Sequence, residues 1–295
     1  MGEWPAIDSR QYIVAFELRS TEDCPPDFDL PTSLAGFETG LFLPRGDSDW
    51  FGRWSYPPRI LLLKGSALYI VSHPSTGEPP SKCTMEQISS VESGHMLLKG
   101  WLRFTGPGFD YTVRYNTRGF PPVLRFMGHL QDKLLRGART RVNSEAHPGV
   151  GLDIKFGNAL ALELDSGEIV LMHVFQPPRQ VRSRGWLLPS RHWIAGDLLA
   201  LTDRRLLWIT DRERGSYSRY GSIASYAPFG AVRSIGLTSG RSGHILQVNL
   251  NGSAWRIPII AESRWDCQRV AEEFAAALEI QKGRNEASRT ELGRR

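Results

Sequence analysis

The side chains best suited to chemistry in this chain are arginines. Arg179, Arg182 and Arg184 stand close together just before Trp186, and Arg204 and Arg205 follow as an adjacent pair. A guanidinium is planar, always charged and able to donate two parallel hydrogen bonds to a phosphate or carboxylate. These five residues are therefore the candidate anion-binding set. The competing use is a solvated surface, with Arg204 and Arg205 exchanging between Asp203 and Asp211. Residues 1–150 carry 16 Lys+Arg and 16 Asp+Glu, whereas residues 151–295 carry 20 and 15, so the net charge of +5 belongs to the second half. Nine Arg fall between Arg179 and Arg219 against four acids, which predicts one basic face.

Other chemistry finds little support. The seven His (His73, His95, His129, His147, His173, His192, His244) include no helical pair of metal-ligand spacing, and Cys24, Cys83 and Cys267 are far apart, so neither a metal nor a disulfide framework is expected. Gly106-Pro107-Gly108 and Gly240-Arg241-Ser242-Gly243 are turns without the following Lys-Ser/Thr of a phosphate loop, and no nucleophile elbow is present. No catalytic residues, cofactor or small-molecule substrate are therefore expected. The nine Trp invite a base-stacking reading. Trp208 and Trp255 alternate with apolar strand residues, however, so core packing is expected and a nucleic-acid partner is not. Trp50, Trp54, Trp101 and Trp193 suit either core packing or a protein-binding surface.

A chain of 295 residues with 41% hydrophobic side chains can bury a sizeable core and is long enough for two domains. Its apolar stretches, such as residues 59–71, are interrupted by Lys or Arg well short of a bilayer span, and the N-terminus lacks an apolar targeting segment. A cytoplasmic protein, able to associate peripherally with a membrane, is the expectation.

The elements that would position these arginines show a repeat. Residues 61–71 (LLLKGSALYIV) align without a gap on residues 199–209 (LALTDRRLLWI), each reading as strand, tight turn, strand, with Lys64-Gly65 and Thr202-Asp203 as the turns. Each copy continues with β-rich stretches at 87–91 and 231–235, then alternating runs at 109–115 and 244–250. Each closes with a helical pattern: Val123, Phe126, Met127, Leu130 and Leu134 in the first, Val270, Phe274, Ala277 and Leu278 in the second. So many consecutive strands exclude a parallel β-α-β plan. The expected fold is mainly β: two antiparallel barrels or sandwiches, each capped by a C-terminal amphipathic helix. The boundaries read 1–138, a linker at 139–155, 156–282, and a flexible tail at 283–295.

This order, together with residues 197–210 (DLLALTDRRLLWIT) preceded by Ser166-Gly167-Glu168, resembles the pleckstrin-homology (PH) superfamily, particularly bacterial PH-like and GRAM-type domains. The resemblance spans nearly all of the second half. In the first half it rests on the repeat, the closing helix and residues 61–71, while residues 17–49 fit it poorly. It implies two rigid binding modules whose strand edges and loops recognise a protein partner or a second copy, by strand addition or by docking between a sheet edge and the helix. It also implies an alternative, since family members that bind phosphoinositides use basic residues in the first hairpin, where Arg182-Ser183-Arg184 stands here without the pattern's leading Lys. In the first copy, Asp47 and Asp49 would repel such a headgroup.

Overall fold

A computed structural model describes residues 14–28, 30–45, 56–96, 99–135, 152–183, 190–213, 216–217, 221–240, 243–259 and 264–292. The architecture is mainly β and antiparallel. It divides into two compact units: the first comprises residues 1–88, 95–103 and 111–134, the second residues 89–94, 104–110 and 135–295.

In the first unit, β1 (Phe16–Leu18), β2 (Thr39–Leu43), β3 (Arg59–Lys64), β4 (Ala67–Ser72) and β5 (Ser81–Thr84) form one sheet in sequence order. Ile60, Leu61, Leu62 and Leu63 are all buried, so β3 reads as a continuous apolar run rather than an alternation because both its faces are covered. The connection between β1 and β2 supplies one cover, for Phe28, Leu34 and Phe37 pack with Leu18, Phe42, Ile60, Leu62 and Val71. This is the use of the N-terminal segment that fits the repeat poorly. After β6 (Ser90–Met96), β7 (Lys99–Gly106) and β8 (Phe109–Asn116), helix α1 (Phe120–Leu134) packs against β1 and β2. Val123, Phe126, Met127, Leu130 and Leu134 form its buried stripe, as the three- and four-residue spacing dictates.

Besides residues 89–94, which carry most of β6, and 104–110 around the β7–β8 turn, the second unit contains α2 (Ile154–Glu163), β9 (Val170–Gln176), β10 (Arg179–Ser183), β11 (Ser190–Ile194), β12 (Asp197–Thr202), β13 (Arg205–Thr210), β14 (Arg212–Glu213), β15 (Ser216–Tyr217) and β16 (Gly221–Pro228). Its central sheet carries β9, β12, β13 and β16 side by side. A three-stranded sheet of β17 (Val232–Gly240), β18 (Gly243–Leu250) and β19 (Ser253–Ile259) follows, then α3 (Arg264–Leu292). Val232, Ile235, Leu246, Val248, Trp255 and Ile257 close the core with Ala271, Phe274 and Leu278 of α3.

Several expectations need correction. Lys64 pairs with Ala67 and Leu201 with Leu206, so the two hairpin turns are Gly65-Ser66 and Asp203-Arg204, each one residue later than expected. In the first, Gly65 takes the left-handed φ of 57° that a tight hairpin demands. In the second, the Thr202 hydroxyl accepts the N–H groups of Arg204 and Arg205 and so ends β12. Residues 139–151 of the expected linker lie outside the described residues, but its last part is helix, because Asp153 caps α2 by accepting the Phe156 N–H at 2.9 Å. α3 continues into the expected tail as far as Leu292, a stretch whose Lys, Arg, Glu and Ala favour helix.

The β18–β19 turn shows how closely the second unit is packed. Gly252 has φ 80°, and a Cβ there would sit 2.9 Å from the backbone of Pro107 in the β7–β8 turn of the same unit. Gly252→Ala is expected to destabilise by at least about 1–2 kcal/mol, the left-handed cost of a non-glycine residue, with the backbone clash added. Urea unfolding checks this, and an unchanged midpoint would show that the turn relaxes freely.

Candidate functional site

The motif that carries the resemblance, Thr202-Asp203-Arg204-Arg205, proves to be held by the turn before β9. Gly167 adopts φ 76° in that turn and brings Glu168 beneath the β12–β13 hairpin. Arg205 Nε donates to Glu168 Oε1 at 2.9 Å and Nη2 to Oε2 at 2.7 Å, a two-pronged pair with both side chains fully buried. Glu168 also accepts from the Thr202 hydroxyl at 2.7 Å and from the Asp165 N–H at 2.9 Å. Arg205 donates further to the Glu163 carbonyl and lies 5.0 Å from the centre of the Tyr226 ring. Asp203 completes the junction, since Ile169 N–H donates to its carboxylate and its own N–H donates to the Ile169 carbonyl, both at 2.9 Å.

This arrangement removes Arg205 from the anion-binding set. A guanidinium taken out of water needs a carboxylate partner, and Glu168 fills that role with oxygens that already accept four hydrogen bonds. The expected exchange of Arg204 and Arg205 with Asp203 and Asp211 is likewise corrected. Arg204 pairs with Asp165 at 3.3 Å, and Asp211, its side chain buried, accepts from Gly196 N–H at 2.7 Å and from Lys155 at 3.2 Å. Burial pushes the Asp211 carboxyl above its usual range, against the pull of Lys155.

Of the remaining candidates, Arg179 and Arg182 lie on the β10–β11 hairpin. Arg179 pairs with Ile194 and Arg182 with Arg191. Arg179 and Arg182 stand three residues apart, on positions of opposite parity along a pleated strand. Arg184 lies outside the described residues, as do Trp50, Trp54 and Trp186. Trp255 is buried and Trp208 half-buried, with ring centres 5.9 Å apart, and Trp208 Nε1 donates to Asp197 at 3.0 Å. Both therefore pack as the alternation indicates.

A second polar constellation sits in the first unit, where spacing alone had shown only scattered histidines. His73 Nε2 lies 3.0 Å from Asp27 Oδ2, and Nδ1 lies 2.7 Å from Ser75 Oγ. The Ser75 backbone N–H also donates to Nδ1, at 3.2 Å. A backbone N–H can only donate, so Nδ1 is the bare nitrogen, Nε2 carries the proton, and the hydroxyl donates. The hydroxyl–imidazole–carboxylate order is that of a serine nucleophile and its base, but with the two ring nitrogens exchanged. Protonating Nδ1, as such a base must, would set two N–H groups against each other. The N–H groups of Thr76 and Gly77, which could receive a developing oxyanion, are bonded to the carbonyls of His73 and Pro74. The group works as the cap of the 74–76 turn. Burial pushes the thiols of Cys24 and Cys83 up to about 11, which keeps them protonated and weakly nucleophilic.

Glu163 supplies a pH test. Burial pushes its carboxyl up to about 7, against the pull of Arg205 and with the push of Glu168 and Asp165. A raised carboxyl adds stability below the unfolded-chain value, and that contribution is lost as pH rises through 7. Glu163→Gln is therefore expected to raise the melting temperature at pH 8 relative to the parent, with the gain shrinking toward pH 5. An equal shift at both pH values would show that Glu163 does not titrate there.

Among the described residues no group of three or more His, Cys, Asp or Glu is arranged to hold a metal ion, and no helix is long and apolar enough to cross a membrane. No family model matches the chain, and no match is found among curated proteins.

Proposed function

We propose that this is a non-catalytic binding or scaffolding protein of two PH-like units, which takes an extended segment of a protein partner, or of a second copy, along the edge of β17 beside α3. The observation that carries this reading is the state of that edge. β17 pairs with β18 from Val232 to Gly240 and, among the described residues, with no strand on its other side, while α3 packs against it. An open edge offers a row of N–H and C=O groups to an incoming strand, and the adjoining helix gives its side chains something to pack on. Three other edges are blunted, since β19 carries Pro258, β5 is four residues long with Lys82, and β1 is three residues long. β8 and β9 are longer edges, but among the described residues no helix packs along either as α3 does along β17. Peptides selected from a random display library would test it by amide hydrogen exchange. Slowed exchange at residues 235–238 on binding is expected, and ligands that leave those amides unchanged would sink strand addition.

One observation favours a second reading, an anionic lipid headgroup held at β10–β11. The backbone register places Arg182 opposite Arg191 and Arg179 opposite Ile194, so one hairpin gathers three arginine positions and no acidic one. Each Arg near an anionic membrane adds roughly 1 kcal/mol, so Arg182→Glu/Arg184→Glu should abolish flotation with phosphoinositide vesicles at physiological salt. Absence of flotation by the parent protein removes this reading.

A further inference from the structure

We infer that the outward face of the β17–β19 sheet binds an acidic segment of the partner, a statement of partner chemistry that rests on the protein-binding reading above. Between Glu213 and Glu262 the chain contains no Asp or Glu, yet it contains Arg214, Arg219, Arg233, Arg241 and Arg256. All three strands lie inside this stretch. Their inner residues are buried against α3, so strand alternation turns the intervening ones outward. In register these form three rows, Ser234–Asn249–Ala254, Gly236–Gln247–Arg256 and Thr238–Ile245–Pro258, of which the first two carry the polar and charged side chains. The register shift between Val232 and Ser234 exposes two successive residues, Arg233 and Ser234, which is how a bulge re-aims a side chain.

The hydrogen bonds on this face give it a donor character. Gln247 Nε2 donates to Asn249 Oδ1 at 2.6 Å, Asn249 Nδ2 donates to Ser234 Oγ at 2.9 Å, and Arg233 Nε donates to Asn251 Oδ1. Both Asn carbonyl oxygens thus accept from neighbours within the face. Arg233 uses one of its five N–H donors in this way, and Arg256 is exposed beside Gln247. With strands roughly 4.8 Å apart, β17 and β19 are separated by roughly 10 Å. Because Arg256 stands in register with Gly236, the two arginines are also offset along the strands by roughly 8 Å, so that they lie roughly 12 Å apart, about four residues of an extended chain. Carboxylates spaced that way on a partner would meet both arginines. The outward residues include no aromatic ring on which a base could stack, which favours a peptide over a nucleic acid.

The test titrates the full chain, by fluorescence anisotropy, with a short labelled peptide of alternating Glu and Ser, the same peptide with Gln for Glu, an oligothymidine, and phosphatidylserine vesicles, each at low and physiological salt. The Glu peptide is expected to bind, to weaken steeply with salt, and to lose roughly tenfold or more in affinity in Arg233→Glu/Arg256→Glu. That variant should melt with the parent, since both residues are exposed. Several results would overturn the inference: no binding of the Glu peptide, equal binding of the Gln peptide, affinity unchanged in the variant, or preference for oligothymidine or vesicles with the same arginine dependence. If both peptides bind alike and slow exchange at residues 235–238, the acidic preference fails while strand addition stands. If neither binds and library ligands leave those amides unchanged, both fail.

Discussion

Arg205→Met is expected to destabilise the folded chain by about 3–5 kcal/mol, the cost of leaving one member of a buried ion pair without its partner. Glu168 would then be a fully buried carboxylate keeping only the Thr202 hydroxyl and the Asp165 N–H as donors. Arg205→Met/Glu168→Leu should recover most of the loss, because an apolar pair of similar volume removes both desolvation penalties at once. Urea midpoints of the two variants decide the matter. A single variant as stable as the parent would show that water reaches Glu168 in its absence.

The same pair sets a pH signature. Burial works to raise the Glu168 carboxyl, but the charge and hydrogen bonds of Arg205, helped by Asp165 and Thr202, hold it below the usual range. A lowered carboxyl contributes stability that is present above the unfolded-chain value and lost as pH falls through the folded one. In Arg205→Met that opposition is gone and Glu168 prefers its proton. The deficit relative to the parent should therefore narrow as pH is lowered, and a deficit constant across the acid range would contradict this account.

Phe274→Ala is the second large expected effect, a loss of about 3–5 kcal/mol from the removed contacts and the cavity left behind. Phe274 is fully buried at the centre of α3's contact with the β17–β19 sheet, among Leu246, Val248, Trp255 and Ile257. α3 has no comparable apolar anchor among the described residues of its later turns, so the helix is held by this ring and its neighbours Ala271 and Leu278. Denaturant unfolding followed by Trp fluorescence measures the loss. A cost near that of a surface change would mean that the sheet collapses into the space.

The features legible in the sequence were those governed by short-range periodicity. The α1 stripe from Val123 to Leu134, the paired hairpins of β3–β4 and β12–β13, and the alternation that buries Trp255 between two exposed neighbours each follow from which face a residue must take once its element forms. The mainly-β class followed from the number of such stretches. Less visible was α2, because its short apolar run is buried through Phe156 and Leu160 and lacks a polar stripe to give the period away. The membership of residues 89–94 and 104–110 in the second unit was equally hidden, since nothing local distinguishes them from the strands around them.

The arginines show the division most clearly. From composition and spacing, Arg204 and Arg205 are an exposed basic pair beside two aspartates, and their types and their place at the β12–β13 hairpin were settled by the sequence itself. Tertiary structure alone decided that Arg205 faces inward and that its partner is Glu168, 37 residues earlier in the chain, with Asp203 and Thr202 recruited to the same junction. The reason is physical. Spacing along a strand fixes the side of the sheet to which a residue belongs, but whether that side meets water or a carboxylate depends on what the rest of the chain lays over it, and a buried charge is tolerated only where that covering supplies its counter-charge.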